Sequence, residues 1–274
     1  MTLKDAYEFG QTQLKMAKIA EATLDAWYLL EHVTGVNRAK YFLNENAQMS
    51  KNEESLYKEA ILKRSNRIPL QHITGTQEFM GLTFSVNEHV LVPRQDTEIL
   101  VESALEVAKE GMQILDMCTG SGCILLSLLK LQEGLTGLGV DISEEALKVA
   151  KENAKSLGVD AAFLQSDLFE QVEGKFDIII SNPPYIKTAV IEGLEDEVKL
   201  HDPWIALDGK EDGLYFYRKI IESAPKFLKK GGALYFEIGH DQGQEVKQLM
   251  EMAGFSNVTV KKDLAGLDRV VFGV

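Results

Sequence analysis

Short apolar runs alternate with amphipathic stretches through the last 160 or so residues of the chain. The apolar runs predict strands at 113–116, 136–141, 162–164, 176–181, 233–238, 258–260 and 270–272. The stretches with helical spacing predict helices at 124–131, 144–157, 214–228 and 242–253. Alternation of this kind is typical of an α/β fold with a mostly parallel, doubly wound sheet.

The first quarter of the chain has a helical pattern throughout. Thr2 with Asp5 and Ser50 with Glu53 have the spacing of capping boxes, and Gly35 is placed to end a helix. Short polar turns separate the helices, so we expect a small bundle. We expect six of its aromatic side chains to lie in the core; they are Tyr7, Phe9, Trp27, Tyr28, Tyr41 and Phe42. The alternative is that an exposed cluster among them forms a docking surface.

Two short alternating runs, 82–86 and 90–92, follow the bundle and predict a β-hairpin that turns at Asn87 and Glu88. A helix then begins near Pro93 and carries acids in its first turn. We therefore expect three parts: a helical domain at 1–75, a hairpin linker at 76–93 and an α/β domain at 94–274.

Composition narrows the class of protein. The apolar fraction is 45%, the mean hydropathy is −0.11, and no apolar run approaches the length of a membrane span. The two cysteines, Cys118 and Cys123, have no companion Cys or His cluster, so neither a disulfide framework nor a zinc site is indicated. With no signal-peptide pattern at the N-terminus, we expect a cytoplasmic protein without membrane contact or a bound metal.

The formal net charge of −13 is unevenly distributed. Residues 1–75 contain ten Lys or Arg and nine Asp or Glu, so the acidic excess lies in the remainder. A protein that binds long DNA or RNA normally shows a basic face, so this balance argues against a nucleic-acid partner.

A glycine-rich turn, Thr119-Gly120-Ser121-Gly122, follows the first strand of the predicted sheet. The third glycine of a dinucleotide-binding fingerprint is replaced by Leu125, and no Lys-Ser or Lys-Thr follows as in a P-loop. The turn instead indicates close approach of the backbone to an uncharged or zwitterionic ligand.

Acids end or follow three successive strands, at Asp116, Asp141 and Asp167. One such acid alone is usually a solvated strand end, but three together favour a ligand site. Asp141 is placed to accept both hydroxyls of a ribose. Asp167 and Leu168 lie where the edge and face of an adenine are expected.

The fourth strand is followed by Ser181-Asn182-Pro183-Pro184-Tyr185. Ligands bind at the carboxyl ends of the strands in an open α/β sheet. The Asn182 side-chain oxygen can accept a hydrogen bond from an NH2 group, proline carbonyls add acceptors without N–H donors, and Tyr185 can cover a flat group. The motif therefore suits transfer to a planar, conjugated nitrogen, although taken alone it can also be a turn that ends a strand.

These motifs together resemble a known family. The residues that carry the likeness are 69–75, 92–94, 114–122, 181–185, 206–209, 212–214 and 237–239. The chain resembles the class I S-adenosylmethionine-dependent methyltransferases, and among them the HemK/PrmC family of protein-(glutamine-N5) methyltransferases that act on peptide chain release factors. The resemblance implies a Rossmann-like sheet with an antiparallel last strand, together with an N-terminal domain that recognises the substrate.

The resemblance also implies site residues. S-adenosylmethionine would lie on Cys118, Thr119, Gly120, Ser121, Gly122, Asp141, Asp167, Leu168 and Asn182. The substrate glutamine would lie on Asn182, Pro183, Pro184 and Tyr185, with Asn182, Pro183 and Tyr185 serving direct, in-line methyl transfer. Two alternatives remain at this point: an adenine-N6 or related nucleic-acid methyltransferase, which uses the same loop, and a nucleotide-sensing domain without turnover.

Overall fold

The computed structural model describes residues 1–274 and divides into two compact units. The first unit consists of Met1–Gly75 together with Glu195–His201. The second consists of Thr76–Leu194 and Asp202–Val274. Residues 195–201 lie within the predicted domain 94–274 but group with the helical unit. None of the helices is long and apolar enough to cross a membrane.

The first unit is built from helices, numbered here in chain order over the whole protein. They are α1 (Leu3–Met16), α2 (Ala22–Thr34), α3 (Arg38–Leu43), α4 (Lys51–Ser65), α5 (Leu70–Thr74) and α10 (Asp196–His201). Both predicted capping boxes are present: the side chains of Thr2 and Asp5, and of Ser50 and Glu53, each bond the other residue's backbone N–H. These bonds satisfy N–H groups that the first turn of a helix leaves without partners.

The aromatic side chains of this bundle differ in burial. Trp27 and Tyr41 are buried, with their rings edge to face at a centroid distance of 5.4 Å. Tyr28 and Phe42 are exposed, so the expectation that all six aromatics form the core is wrong for these two. Each exposed ring directly follows a buried one in sequence, and successive residues of a helix point in different directions.

The β-hairpin lies earlier than predicted. Strands β1 (Thr76–Phe79) and β2 (Leu82–Ser85) pair antiparallel around a turn at Met80 and Gly81, which both have positive φ. Residues 90–92 form no strand; Val90 and Val92 are instead buried in irregular chain. The predicted position was wrong because β1 has the mostly polar sequence Thr-Gln-Glu-Phe, whereas Val90 and Val92 have high strand propensity.

A seven-stranded sheet forms the centre of the second unit. Its strands are β3 (Gln113–Met117), β4 (Thr136–Asp141), β5 (Ala162–Gln165), β6 (Phe176–Ser181), β7 (Leu228–Glu237), β8 (Thr259–Lys262) and β9 (Asp268–Gly273). The order across the sheet is β5-β4-β3-β6-β7-β9-β8. The last strand, β9, runs opposite to the other six, which confirms the predicted mostly parallel sheet with an antiparallel last strand.

Helices cover both faces of this sheet. They are α6 (Gln95–Leu105), α7 (Cys123–Leu131), α8 (Glu144–Leu157), α12 (Tyr215–Ser223) and α13 (Gly243–Met252). Two further short helices, α9 (Thr188–Ile191) and α11 (Trp204–Leu207), lie in the long connection between β6 and α12. Strand β6 shows the two-sided burial: Ile178 and Ile180 pack with residues of α6 and α7, and Ile179 packs with residues of α12 and α13. Burial on both faces explains why β6 is almost continuously apolar.

One helix boundary differs from the sequence prediction. The predicted helix 214–228 stops at Ser223 and continues as a short 3-10 helix, Ala224–Lys226, and β7 then begins at Leu228 rather than at 233. Pro225 lacks a backbone N–H and cannot continue an α-helical bonding pattern.

Candidate active site

A cavity lies at the carboxyl ends of the parallel strands, beside β3 and β6. Strand β3 has β4 on one side and β6 on the other. The strands from β3 to β5 are added in one direction across the sheet, and those from β6 onward in the other, so the strand order reverses here. Ligands bind at this switch point in open α/β sheets. The cavity lies wholly within the second unit and is lined by loops that follow β3, β4, β5 and β6 and by the chain at 89–97 and 203–206.

The glycine-rich turn after β3 forms one wall. Cys118, Thr119, Gly120 and Ser121 line the cavity, whereas Gly122 does not and caps the N-terminus of α7. A Cβ atom at Gly120 would meet no heavy atom within 4 Å, and its φ of +55° is a conformation that glycine adopts without strain. The backbone at Gly120 is therefore open to close approach by a ligand.

Asp141, the last residue of β4, is fixed at the edge of the same cavity. Its Oδ2 accepts a hydrogen bond from the Gly120 N–H at 2.9 Å, and its Oδ1 accepts one from the Ser143 N–H at 2.9 Å. Burial raises the pKa of this carboxyl, and the two backbone bonds oppose the shift. Each carboxylate oxygen keeps a further lone pair, so the group can still accept bonds from neighbouring hydroxyls.

The loop after β5 contributes a third wall. Ser166, Asp167 and Leu168 line the cavity, and Asp167 is exposed. Leu168 has a φ of +48°. The structure thus brings Asp167 and Leu168 into the same cavity as Asp141 and the glycine turn.

The loop after β6 is held from several sides. Asn182 and Pro184 line the cavity, but Pro183 and Tyr185 are not part of its wall. Asn182 Nδ2 donates a hydrogen bond to Thr97 Oγ1 at 3.4 Å, which leaves Oδ1 as the free end of the amide. The Tyr185 hydroxyl donates to Glu237 Oε1 at 3.4 Å.

Two carboxyl groups near the cavity are fully buried. Asp116 accepts a bond from the Thr119 hydroxyl at 2.5 Å, and Glu237 lies at the end of β7. Burial raises the pKa of each carboxyl to about 7. The hydrogen bond from Thr119 acts in the opposite direction on the pKa of Asp116. Burial also raises the pKa of the Cys118 thiol, so this cysteine is a poor thiolate nucleophile.

Sequence reasoning missed several residues of the cavity wall. The sequence pattern predicts only a helix at Thr97 and at Phe216, yet both side chains line the cavity. The segment at Pro203, Ile205 and Ala206 also lines the cavity. It is held by an ion pair between Arg94 and Asp202, with Nη2 to Oδ2 at 2.8 Å. In the sequence, only the family resemblance at 92–94 and 206–209 includes residues of this wall, and the resemblance assigns no role to them.

The fold and the site define the class of protein. The strand order with an antiparallel last strand, the glycine turn after β3, the acid at the end of β4 and the Asn-Pro-Pro-Tyr loop after β6 are the features of a class I methyltransferase. Two family models match separate parts of the chain. Residues 5–75 match the PrmC N-terminal domain, and residues 94–195 match the methyltransferase small domain.

Similar proteins identify the family. A release factor glutamine methyltransferase of Caulobacter vibrioides is 40% identical over 100% of this chain and 96% of its own length. One from Geobacter sulfurreducens is 38% identical over 99% of this chain and 96% of its own length. A T. thermophilus 16S rRNA methyltransferase, solved with AdoMet and guanosine, shares the fold with a TM-score of 0.52 and 18% identity over 72% of this chain and 49% of its own. The chain belongs to the release factor glutamine methyltransferase family.

Proposed function

We propose that this protein transfers a methyl group from S-adenosylmethionine to the side-chain amide nitrogen of the glutamine in a Gly-Gly-Gln loop of peptide chain release factors. The observation that carries the proposal is the position of Asn182: its amide lines the same cavity as Asp141 and the glycine turn. Family membership supports the same reaction. We place the reaction in the cytoplasm, where chain termination occurs.

The cavity residues suit the cofactor. The open backbone at Gly120 admits a close ligand, and the fixed Asp141 carboxylate suits two ribose hydroxyls. Cys118, Thr119, Ser121, Gly122 and the pair Asp167 and Leu168 complete the proposed cofactor site, in which Gly122 acts by shaping the turn. When bound, the sulfonium supplies an activated methyl group, so the protein need not form a covalent intermediate.

The loop at 182–185 would hold the reacting amide. The lone pair of an amide nitrogen is conjugated with its carbonyl and must be turned toward the methyl carbon. Acceptors at Asn182 Oδ1 and at the Pro183 carbonyl would orient the NH2 group and stabilise the positive charge that develops on nitrogen. In the proposal Pro184 forms the adjoining wall, and Tyr185, whose hydroxyl donates to Glu237, holds the loop in place from outside the cavity. The released proton passes to water.

Labelling experiments test this function. The protein is incubated with methyl-labelled cofactor and either an intact release factor or the same factor with its loop glutamine changed to alanine. Label should enter the first factor and not the second. Equal labelling of both factors would refute the proposed acceptor. Labelled DNA or RNA beside an unlabelled factor would establish the nucleic-acid alternative.

A further inference from the structure

Arg94 is the one arginine or lysine in the cavity wall, and the proposed function gives it no task. Its side chain is 46% exposed and pairs with the buried carboxylate of Asp202, with Nη2 to Oδ2 at 2.8 Å. A guanidinium has five N–H donors in a fixed fork and keeps its charge in proteins. The ion pair uses Nη2, so Nε and Nη1 can donate to a ligand in the cavity.

The contacts of Arg94 place it on the same side of the cavity as Asn182. Arg94 is the N-cap residue of α6, and its carbonyl accepts from the Thr97 N–H at 3.0 Å. The Thr97 hydroxyl in turn accepts from Asn182 Nδ2 at 3.4 Å. The ion pair with Asp202 joins Arg94 to the chain that continues into the cavity wall at 203–206. The residues proposed to hold the cofactor belong instead mainly to the loops after β3, β4 and β5.

This side of the cavity is rich in hydrogen-bond acceptors and poor in donors. Asn182 presents Oδ1, because its Nδ2 is used by Thr97, and Pro184 and Pro203 have no backbone N–H. A peptide that enters here can give its N–H groups to these acceptors, but its own carbonyls need donors. A carbonyl buried without a donor is costly. The Arg94 guanidinium is the group on this wall with several N–H donors to offer.

We propose that Arg94 is a substrate-binding residue whose guanidinium donates to main-chain carbonyl oxygens of the segment that carries the reacting glutamine. Two glycines precede that glutamine, and glycine permits close approach to its backbone because it has no side chain. The Gly-Gly-Gln segment has no anionic side chain, so its carbonyls are the acceptors that a cation can find there. The ion pair with Asp202 holds the guanidinium in place beforehand, which reduces the entropy lost on binding. This inference rests on the proposed function.

Arg94→Met tests the contact, because it keeps most of the side-chain length and removes every donor. On intact release factor and on a short Gly-Gly-Gln peptide alike, it should lower kcat/KM by about tenfold or more, since a charged hydrogen bond is lost. Calorimetry should show affinity for S-adenosylmethionine within about twofold of wild type. Wild-type kcat/KM would overturn the proposal. A large loss of cofactor affinity in the folded variant would also overturn it, by assigning Arg94 to the carboxylate of the cofactor.

Lys187→Met is the matched control. Lys187 is an exposed cation that follows the loop at 182–185 and lies outside the cavity wall, so its loss should leave kcat/KM within about twofold of wild type. An equal loss in both variants would show that positive charge in general, rather than a contact in the cavity, attracts the substrate. If circular dichroism shows that Arg94→Met does not fold, Arg94→Lys carries the same test. It keeps a cation beside Asp202, but an ammonium does not reproduce the fork.

Altered peptides test which substrate group Arg94 contacts. The Gly-Gly bond, the Gly-Gln bond and the peptide bond after the glutamine are replaced one at a time by a trans alkene, which removes the carbonyl oxygen. At least one replacement should lower kcat/KM about tenfold for wild type and no more than about twofold for Arg94→Met, because partners in one contact have non-additive effects. The N–H group lost with the carbonyl affects both enzymes alike. Equal losses in the two enzymes at all three bonds would overturn the proposal.

The labelled product separates this proposal from the function on which it rests. If wild type labels the loop glutamine but Arg94→Met is equally active, only the assignment of Arg94 is wrong. If wild type labels the glutamine of neither the peptide nor the intact factor, the proposed function fails and the assignment of Arg94 fails with it.

Discussion

Asp116 and Asp141 lie on neighbouring strands, yet their surroundings give them different tasks. Asp141 lines the cavity with both oxygens held by backbone N–H groups. Asp116 is completely buried, bonded to Thr119, and its Oδ1 has no hydrogen-bond partner. Asp116 therefore supports the glycine turn from behind, while Asp141 faces the cavity.

Cofactor binding should depend on Asp141. We expect Asp141→Ala to weaken binding of S-adenosylmethionine by about 2–3 kcal/mol, because charge-assisted hydrogen bonds to the ribose are lost together. Isothermal titration calorimetry measures the change. Asp160→Ala, which removes an exposed carboxylate outside the cavity, is the matched control and should bind normally. Unchanged affinity in Asp141→Ala would remove the ribose assignment.

Asp116 should make stability depend on pH. Because burial raises its pKa in the folded protein to about 7, above the ordinary value of 3.8, the folded state holds a proton that the unfolded state has released. Stability should therefore be highest below the lower value and fall as pH rises toward the upper one. Asp116→Asn lacks this loss, so relative to wild type it should gain about 2–3 kcal/mol between about pH 5 and about pH 8.

Urea unfolding at the two pH values measures this difference, and using the difference between proteins cancels other titrating groups such as Glu237. Asp160→Asn removes an exposed carboxylate and should show no comparable change with pH. A constant difference between Asp116→Asn and wild type across the range would mean that Asp116 is ionised in the folded protein.

At the level of single residues, the sequence predicted residues that line the cavity better than it predicted the residues that support them. Asn182, Asp141, Asp167 and Leu168 were found because each follows or ends a strand, and strand ends meet at one edge of a parallel sheet. The pairing of Thr97 with Asn182 joins residues 85 apart in sequence, so no local pattern could reveal it. Likewise, strand position alone could not show that Asp116 is buried.

The loop at 182–185 depends on a second segment packed against it. Residues 206–213 run beside the loop: the Gly209 N–H donates to the Ile186 carbonyl at 2.8 Å, and Gln242 Nε2 bridges the carbonyls of Tyr185 and Gly213 at 3.0 and 3.3 Å. A Cβ atom at Gly209 would lie 2.7 Å from two backbone atoms of Tyr185. Backbone atoms cannot move aside as a side-chain tip can, so glycine is required here for close packing.

Substitution at Gly209 should therefore disturb the active-site loop. We expect Gly209→Ala to destabilise the protein by about 1–3 kcal/mol through overpacking and to lower kcat. Gly193→Ala is the control, because its new Cβ atom would meet only the Val190 carbonyl at 3.4 Å. Thermal unfolding and kcat on release factor measure the two effects. If Gly209→Ala behaves like Gly193→Ala, the two segments do not depend on this contact.

At the level of elements, patterns with a local cause were predicted well. The capping boxes of α1 and α4 and the bounds of β4, β6 and α8 follow from neighbouring residues alone. The hairpin was misplaced because β1 is polar, and its turn at Met80 carries an uncommon positive φ in a non-glycine residue. Val90 and Val92 are buried by tertiary packing without pairing in a sheet, which strand propensity cannot distinguish.

At the level of the whole molecule, the chain passes through the helical unit twice. Residues 195–201 join the first unit through the buried guanidinium of Arg64, which bonds Asp25 at 2.7 Å and Glu197 at 2.8 Å. Ten residues before this segment the chain forms the loop at 182–185, and just after it Pro203, Ile205 and Ala206 line the cavity. The sequence predicted boundaries only after residues 75 and 93, because an ion pair between Arg64 and Glu197 leaves no local trace.

We propose that residues 1–75 of the helical unit bind the body of the release factor. Its α3 ends in two adjacent exposed apolar side chains, Phe42 and Leu43. Apolar side chains at a protein interface contribute affinity when they lose contact with water. Exposed positions contribute little to folding, so substitutions there leave stability within about 0.5 kcal/mol.

The double variant Phe42→Ser with Leu43→Ser should lower kcat/KM on intact release factor by on the order of tenfold, since remote contacts orient the reacting group. On a short Gly-Gly-Gln peptide, which lacks the body of the factor, the variant and wild type should be equally active. Leu264→Ser removes a fully exposed leucine in the second unit and serves as the control. If the double variant keeps wild-type kcat/KM on the intact factor, these two side chains do not take part in binding it. If it loses the same activity on the short peptide, the substitutions act on the catalytic unit rather than on recognition.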